Sequence, residues 1–165
     1  MIQPGPAAIG EFVVHVREST VAPRPLSESE IVDVLQSDLV GHLATLDVDG
    51  YPHVTPIWFH WDGETVRMTS LPNKPHVHRL RHDARAGFVV DLEARELSDG
   101  QRPNRQVRII GNAALSDDAD GDWTRAITHR YLRGPGAQAQ AQTRSEQLRV
   151  VIELLPTRII AVASV

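Results

Sequence analysis

The amino-acid sequence predicts a mainly β protein of the α+β class, an antiparallel barrel with short helices at its rim. Three observations support this prediction. The β-rich runs are short and numerous, tight-turn pairs at Asp49-Gly50 and Asp62-Gly63 separate them, and helical spacing is confined to a few segments. The 165 residues, with 41% hydrophobic and 23% charged content, suit one domain with its own core.

The chain begins with a predicted arm and a predicted helix. Residues 1–25 contain four prolines and are expected to form an N-terminal arm, within which EFVVHVRE fits a short strand added to a sheet edge. Residues 26–165 are expected to form the domain. The domain opens with a helix, because Ser27 and Glu30 have the spacing of a capping box and apolar residues then recur at helical spacing.

A meander of three strands is predicted next, near residues 40–47, 52–61 and 64–70. A short helix follows in PHVHRLRHD, since Pro75 suits the first position of a helix.

Two further strands are predicted in RAGFVVDLE and NRQVRIIGNAALSD. Gly111 interrupts the second strand and indicates a bulge or a close approach of two backbones. The segment DADGDWTRAITHRYLR has the spacing of a helix with one apolar face.

The end of the chain combines a predicted loop with predicted strands. The segment GPGAQAQAQTRSEQ is poor in bulky residues and is predicted to be a mobile loop. The last segment, LRVVIELLPTRIIAVASV, contains two strand-like runs on either side of Pro156.

Composition excludes several classes of function. A net charge of −4 argues against general binding to nucleic acid or to an anionic membrane. Without cysteine the chain has no disulfide, thiolate zinc site or cysteine nucleophile. The apolar runs are too short to span a bilayer, and the N-terminus lacks the apolar core of a signal peptide, so we expect a cytoplasmic protein.

The stretch SLPNKPHVHRL contains Lys74, the only lysine among 17 basic residues. A strand is predicted to end at Thr69 and Ser70, and a helix to begin near Pro75. Hydroxyl groups, the positive end of a helix and a lysine together favour a phosphate-sized anion, and His76, Arg79 and Arg81 add positive charge nearby. A surface turn with a solvated lysine and a basic helix face explains the same residues, so both interpretations stay open.

The eight histidines do not define a metal site. His78 and His82 are spaced like a pair of ligands on one helical face, with Asp83 close by, but no complete metal motif is present. Solvent-facing or capping histidines are the favoured interpretation, and no metal is predicted.

The run HLATLDVDGYPHVTPIWFHWDGETVRMTS, followed by VHRLRHDARAGFVVD, resembles the pyridoxamine 5′-phosphate oxidase-like split β-barrel superfamily, and within it the flavin/deazaflavin oxidoreductases. The resemblance covers roughly residues 27–116, and RVVIELLPTRIIAV resembles the last strands of the family. It implies the FMN-binding split-barrel fold and a homodimer whose interface holds two copies of a flavin-like cofactor.

The resemblance also implies a set of site residues. The strand matching VTPIW lies against the cofactor ring in the family, which implicates Thr55, Pro56, Ile57 and Trp58. The strand end and the following helix hold the cofactor phosphate, which implicates the residues of the predicted anion site: Thr69, Ser70, Lys74, His76.

Two positions depart from the family pattern. His76 stands where these proteins commonly have a lysine, Ala84 stands where they have a proline, and Lys74 lies two residues earlier than the usual lysine. Either Lys74 reaches the phosphate instead, or the affinity for phosphate is reduced.

The resemblance implies an oxidoreductase that uses coenzyme F420, with FMN as the alternative cofactor, to transfer hydride to a small organic acceptor. No residue is identified as catalytic, because the cofactor supplies most of the chemistry in such proteins. The competing hypothesis is a carrier that binds flavin, deazaflavin or haem without turnover. Neither nucleic acid nor a membrane is expected as a partner.

Overall fold

The computed structural model of the chain describes residues 24–93 and 104–164. The predicted N-terminal arm and its edge strand therefore lie outside the described residues, apart from Arg24–Pro25. These two residues form a short strand that pairs with the end of the last strand.

The described residues form eight strands and four short helices. The strands are β1 (Arg24–Pro25), β2 (Gly41–Leu46), β3 (Pro52–Ile57), β4 (Phe59–Trp61), β5 (Val66–Ser70), β6 (Arg85–Glu93), β7 (Asn104–Asp117) and β8 (Val150–Ser164). The helices are α1 (Glu28–Leu35), α2 (Pro75–His82), α3 (Asp122–Tyr131) and α4 (Ala137–Ser145).

The strands form one antiparallel sheet with the order β3-β2-β6-β7-β8-β5-β4, and β1 pairs with β8. β3 and β4 follow each other in the chain, yet they lie at opposite ends of this order and pair with different neighbours, β2 and β5. The result is an antiparallel barrel that is split between β3 and β4. The predicted fold class is therefore confirmed.

The inner face of the sheet carries the core. Along β2, Gly41, Leu43 and Thr45 are buried, and the residues between them are less so. Because directly opposite residues of antiparallel strands share a face, Thr55 and Ile57 of β3 point to the same side as these residues. The largest fully buried side chains include residues from α1 and five strands: Leu35, Leu43, Phe59, Met68, Ile109, Ile152.

Three local predictions are confirmed. The Ser27 side chain accepts a hydrogen bond from the Glu30 backbone, and the Glu30 carboxylate accepts one from the Ser27 backbone. Pro75 is the first residue of α2. The register between β7 and β8 shifts between Ile110 and Gly111, as the glycine indicates.

The prediction of one strand over residues 52–61 is wrong, because the strand breaks at Trp58. At Trp58 the chain passes from β3, at one end of the strand order, to β4, at the other end. The prediction of two separate runs around Pro156 is also wrong, since β8 is continuous. Pro156 lies opposite Gly111 at the register shift, a place where a strand tolerates the missing N–H of proline.

The predicted mobile loop GPGAQAQAQTRSEQ contains α4, so this prediction is wrong as well. Alanine, glutamine and arginine are good helix formers, and α4 packs against α3 with Ala141 fully buried. None of the described helices is long and apolar enough to span a membrane.

Candidate functional site

A cleft of about 470 Å³ lies where the edge strand β3 meets the end of β5 and the start of α2. We call it the basic cleft. Its lining residues come from β3, the β5–α2 region and the segment around the end of α4: Thr55, Pro56, Ile57, Thr69, Ser70, Leu71, Lys74, Pro75, His76, Arg79, Arg144, Arg149.

A second cleft, of about 390 Å³, adjoins the basic cleft, and we call it the Trp58 cleft. The two clefts share Pro56, Ile57, Thr69 and Arg144, so they are continuous. Most of the described residues that line the Trp58 cleft are apolar in type, and the full set is Val40, Pro56, Ile57, Trp58, Thr69, Ile127, Arg144.

Pairing between β5 and β8 positions the hydroxyl groups of the basic cleft. Thr69 lies opposite Val151 and Ser70 lies opposite Val150, and both hydroxyl residues are buried. The Ser70 Oγ and the His76 Nε2 are 2.7 Å apart and share a hydrogen bond. This bond joins the end of β5 to the first turn of α2, so the two elements form one wall of the cleft.

His76 is a neutral member of this wall near pH 7. Burial, and then the positive charges of Arg79 and Lys74, lower the pKa of its imidazole below the ordinary value. A neutral imidazole can donate one hydrogen bond but brings no charge. At the position where the family commonly has a lysine, this chain therefore supplies a hydrogen-bonding ring.

The positive charge of the basic cleft comes from other residues. The Arg79 Nε donates a hydrogen bond of 2.8 Å to the Thr45 Oγ1, and Thr45 is itself buried. The Arg149 Nε donates one of 3.1 Å to the Arg144 backbone carbonyl. Within residues 24–93 and 104–164 these two guanidinium groups bond only through Nε, so the terminal amino groups are held in place and can bind another partner.

Arg149 is only 7% exposed, which is unusual for an arginine. Burial and the neighbouring charge of Arg144 lower the pKa of Arg149, and Asp118 offsets part of this effect. A buried cation next to a second cation is costly unless an anion compensates it.

Within the described part of the chain, none of the four cations lining the basic cleft, Lys74, Arg79, Arg144 and Arg149, forms an ion pair. Most other arginines there do form ion pairs with carboxylates, as Arg67 does with Glu153 at 2.8 Å. Of the described residues that line the cleft, none is acidic. This arrangement of donors and charges is suited to a phosphate or another anion.

The Trp58 side chain is held by Tyr131 of α3. The two rings stack with centroids 4.9 Å apart and planes 2° apart. The Tyr131 hydroxyl donates a hydrogen bond to the Leu39 carbonyl and accepts one from the Phe59 N–H. The break between β3 and β4 is therefore fixed by an aromatic stack and by two hydrogen bonds.

Seven of the eight residues that the sequence identifies line the basic cleft, and the eighth, Trp58, lines the adjoining cleft. Arg81 does not contribute to either cleft, because it is exposed on α2 and its Nη1 donates to the Pro72 carbonyl. His78 and His82 are exposed, and the described residues contain no group of three or more histidine, aspartate or glutamate side chains that could hold a metal ion.

Sequence reasoning missed Arg144 and Arg149. Arg144 lies in the segment whose composition predicts a loop, and Arg149 immediately precedes β8. The only local indication is an arginine directly before a long apolar run. Its place beside Ser70 depends on the pairing of β5 with β8, which local patterns do not reveal.

Comparison with known proteins agrees with the split barrel. Residues 27–163 match the pyridoxamine 5′-phosphate oxidase family, and the chain belongs to this family. Among proteins with curated descriptions, none matches the chain in sequence.

Solved structures with the same fold include three informative relatives. A conserved hypothetical protein from Mycobacterium tuberculosis is 25% identical, with 88% of this chain and 87% of that chain covered and a TM-score of 0.66. An F420 reductase is 26% identical, with coverage of 77% and 93% and a TM-score of 0.59. A FAD-binding protein from Mesorhizobium loti is 22% identical, with coverage of 88% and 100% and a TM-score of 0.63, and it supports the fold alone.

Proposed function

We propose that the chain is a cytoplasmic oxidoreductase that binds coenzyme F420, or FMN as the alternative, and transfers hydride to a small organic acceptor. The observation that carries this proposal is the basic cleft, in which four cations without ion pairs to described residues face buried hydroxyl groups beside the edge strand β3. A structurally similar protein of comparable length is an F420 reductase, which supports the same conclusion.

The described residues fit the two ends of such a cofactor. Lys74, Arg79 and Arg149 would hold its phosphate together with Ser70 and Thr69. The missing lysine charge at position 76 does not argue against this, because the two arginines supply charge from other elements. The sequence left two alternatives, that Lys74 reaches the phosphate or that the affinity for phosphate is reduced. The cleft adds a third, in which Arg79 and Arg149 supply the positive charge.

The ring of the cofactor would lie along residues 55–58. Among the described residues β3 pairs with β2 alone, so its other edge offers backbone groups for hydrogen bonds to a cofactor. A bound deazaflavin or flavin supplies the hydride chemistry. The chain would orient it, exclude water and neutralise its negative charge.

We further propose that the protein is a homodimer. Register pairs place Val54, Ala44, Gly87 and Ile110 in one row across the outer face of the sheet. Val54 and Ile110 are 64% and 49% exposed, so this face presents apolar surface to solvent. Pro56 lies on the same face as Val54, two residues along β3, so a second copy packed here would adjoin the basic cleft.

Titration of the purified protein with oxidised F420 and, separately, with FMN tests the proposal. We expect quenching of cofactor fluorescence with a micromolar or lower dissociation constant for one of them, and competition by inorganic phosphate. If neither cofactor binds at micromolar concentration, the proposed function is wrong.

The second candidate is a carrier that binds the same cofactor without turnover. One observation favours it: of the described residues that line the basic cleft, His76 alone has a side chain that ordinarily titrates near neutral pH, and Ser70 already engages it. Reduced cofactor incubated with quinones and enones separates the two candidates. Steady oxidation that depends on protein and acceptor identifies an enzyme, whereas tight binding with no oxidation above the background identifies a carrier.

A further inference from the structure

The Trp58 cleft differs from the basic cleft in its charge. Among the described residues that line it, Arg144 is the one charged residue, and Thr69 and Trp58 contribute the other polar side-chain groups, a hydroxyl and an indole N–H. The remaining walls are aliphatic or aromatic. Binding sites for small organic molecules commonly combine such apolar walls with a few polar groups that fix orientation.

Arg144 is fixed in this cleft from two sides. Its Nε donates a hydrogen bond of 3.1 Å to the Thr128 Oγ1, and the same hydroxyl donates to the Thr124 carbonyl at 2.6 Å. The Arg144 guanidinium carbon lies 4.9 Å from the centroid of the Trp58 ring. The Arg144 side chain is therefore held between α3 and Trp58, the residue at the break between β3 and β4.

The part of Arg144 that remains available is the pair of terminal amino groups. This pair has the fork geometry that matches the two oxygens of a carboxylate. Burial lowers the pKa of Arg144, which indicates that its guanidinium is partly removed from water. An ion pair formed in such a place is stronger than one formed at the surface.

We propose that the Trp58 cleft binds the acceptor substrate, that Arg144 binds a carboxylate on this substrate, and that the acceptor is therefore a mainly apolar monocarboxylate. The role as acceptor rests on the function proposed above. The preference of the cleft for an apolar carboxylate rests on its own lining residues.

Arg144 is assigned to the acceptor rather than to the cofactor phosphate because of what it touches. Trp58 and Ile127 line only the Trp58 cleft, and the Arg144 guanidinium lies against Trp58. Lys74, Arg79 and Arg149 line only the basic cleft and supply three positive charges there without Arg144.

Calorimetric titration with 2-naphthoate and its uncharged analogue 2-naphthamide tests the proposal, using the full chain with and without saturating F420 or FMN. We expect 2-naphthoate to bind at least about tenfold more tightly than 2-naphthamide, as a charge-assisted hydrogen bond to a partly buried group provides. Arg144→Gln should reduce this ratio to about one.

Two further variants make the result specific. Arg144→Lys keeps the charge and loses the fork, so we expect an intermediate ratio, and it serves as the test if Arg144→Gln fails to fold. Arg81→Gln removes a charge of α2 that lines neither cleft and should leave the ratio as in the wild type.

An equal affinity for the two probes in the wild type, or an unchanged ratio in Arg144→Gln, overturns the proposal. Loss of F420 and FMN binding in Arg144→Gln with the ratio unchanged would assign Arg144 to the cofactor instead. If 2-naphthoate binds through Arg144 but neither cofactor binds, the cleft assignment stands and the oxidoreductase proposal fails.

Discussion

Arg79 and Lys74 both face the basic cleft, but the protein holds them very differently. The Arg79 side chain is half-buried and fixed through its Nε to Thr45, whereas Lys74 is exposed at the N-cap of α2 and makes no hydrogen bond through its side chain with the described residues. A preorganised donor loses less conformational entropy on binding than a free one. Arg79 should therefore contribute more to anion binding than the lysine that first draws attention in the sequence.

We expect Arg79→Gln to weaken binding of F420 or FMN by about 1.5–3 kcal/mol, the range of a hydrogen bond to a charged group. Lys74→Ala should cost less, about 1 kcal/mol, because the lysine is exposed to solvent. Fluorescence titration at fixed ionic strength measures both changes.

Arg81→Gln is the matched control for these two variants. Arg81 lies on the same helix with the same charge, but it lines neither cleft. Affinity equal to wild type is expected for this variant. A loss as large as that of Arg79→Gln would mean that the general charge of α2, rather than the geometry of the cleft, attracts the anion.

His76 makes the stability of the protein depend on pH. Because burial and two nearby cations lower its pKa in the folded state, the unfolded state binds more protons once the pH falls below the ordinary value of 6.5. The contribution of His76 to stability is thus fully present above that pH and is lost as the pH falls through the folded-state pKa.

We expect the wild-type melting temperature to fall between about pH 7 and pH 5, and the fall to be smaller in His76→Gln, whose amide can still bond Ser70. Burial also lowers the pKa of His60, but this residue is the same in both proteins, so the difference between the curves reports His76. Parallel curves for the two proteins would contradict this account.

At the scale of secondary-structure elements, local chemistry explains which predictions succeed. The capping box at Ser27, the proline that begins α2 and the turn pairs of the meander each act over a few residues, so their effects are visible in the sequence. The bulge at Gly111 is also a local feature that the sequence indicates, because a glycine within a strand usually marks a bulge or a close approach of two backbones.

The elements that escaped prediction depend on partners far away in the chain. The break at Trp58 exists because β3 pairs with β2 while β4 pairs with β5 and Tyr131 of α3 stacks on the indole. α4 has almost no apolar stripe, since Ala141 is its one buried residue, so the sequence pattern there gives little indication of a helix. Two cations that line the clefts, Arg144 and Arg149, come from α4 and the segment that follows it.

Gly111 offers a direct test of the close approach at the bulge. A Cβ atom at this position would clash with the Leu155 carbonyl oxygen, which is backbone and cannot swing away. Gly111→Ala should therefore lower the free energy of unfolding by about 1–3 kcal/mol, the usual cost of overpacking.

Chemical denaturation of Gly111→Ala and Gly136→Ala provides the comparison. A Cβ atom added at Gly136 would meet no neighbouring side chain or backbone within 4 Å, and the φ of this residue is −86°, so alanine there causes neither a clash nor backbone strain. Gly136 is the N-cap of α4, where alanine is less favourable than glycine, so we expect Gly136→Ala to lower the free energy of unfolding by less than Gly111→Ala, about 1 kcal/mol or less. Equal effects of the two substitutions would show that the close approach at Gly111 has no energetic consequence.

At the scale of the whole molecule, the two faces of the sheet have different roles. The inner face carries the core, while the outer face around β2, β6 and β7 presents small and apolar residues in one continuous row. Side chains alternate along β3, so Thr55 and Ile57 point inward and Pro56 points outward beside Val54. All three residues from 55 to 57 line the basic cleft, which therefore borders both faces of the sheet. A partner on the outer face would therefore change the environment of the proposed cofactor site as well as the stability of the fold.

The proposed homodimer gives a prediction that links assembly with binding. Ile110 lies at the end of the apolar row on β7 and is 49% exposed in a single chain, so Ile110→Glu would place a charge in the dimer interface. We expect this variant to be a monomer by light scattering coupled to size exclusion, at concentrations at which the wild type is a dimer, because burying an unpaired charge costs several kcal/mol. Its affinity for F420 or FMN should fall as well.

Val48→Glu is the control, because Val48 is an aliphatic residue that is 76% exposed in the β2–β3 turn, away from the row. It should leave both the dimer and cofactor binding unchanged. A wild type that is monomeric at all concentrations would refute the dimer. A monomeric Ile110→Glu with wild-type cofactor affinity would instead place the whole cofactor site within one chain, and the basic cleft would then need no partner to complete it.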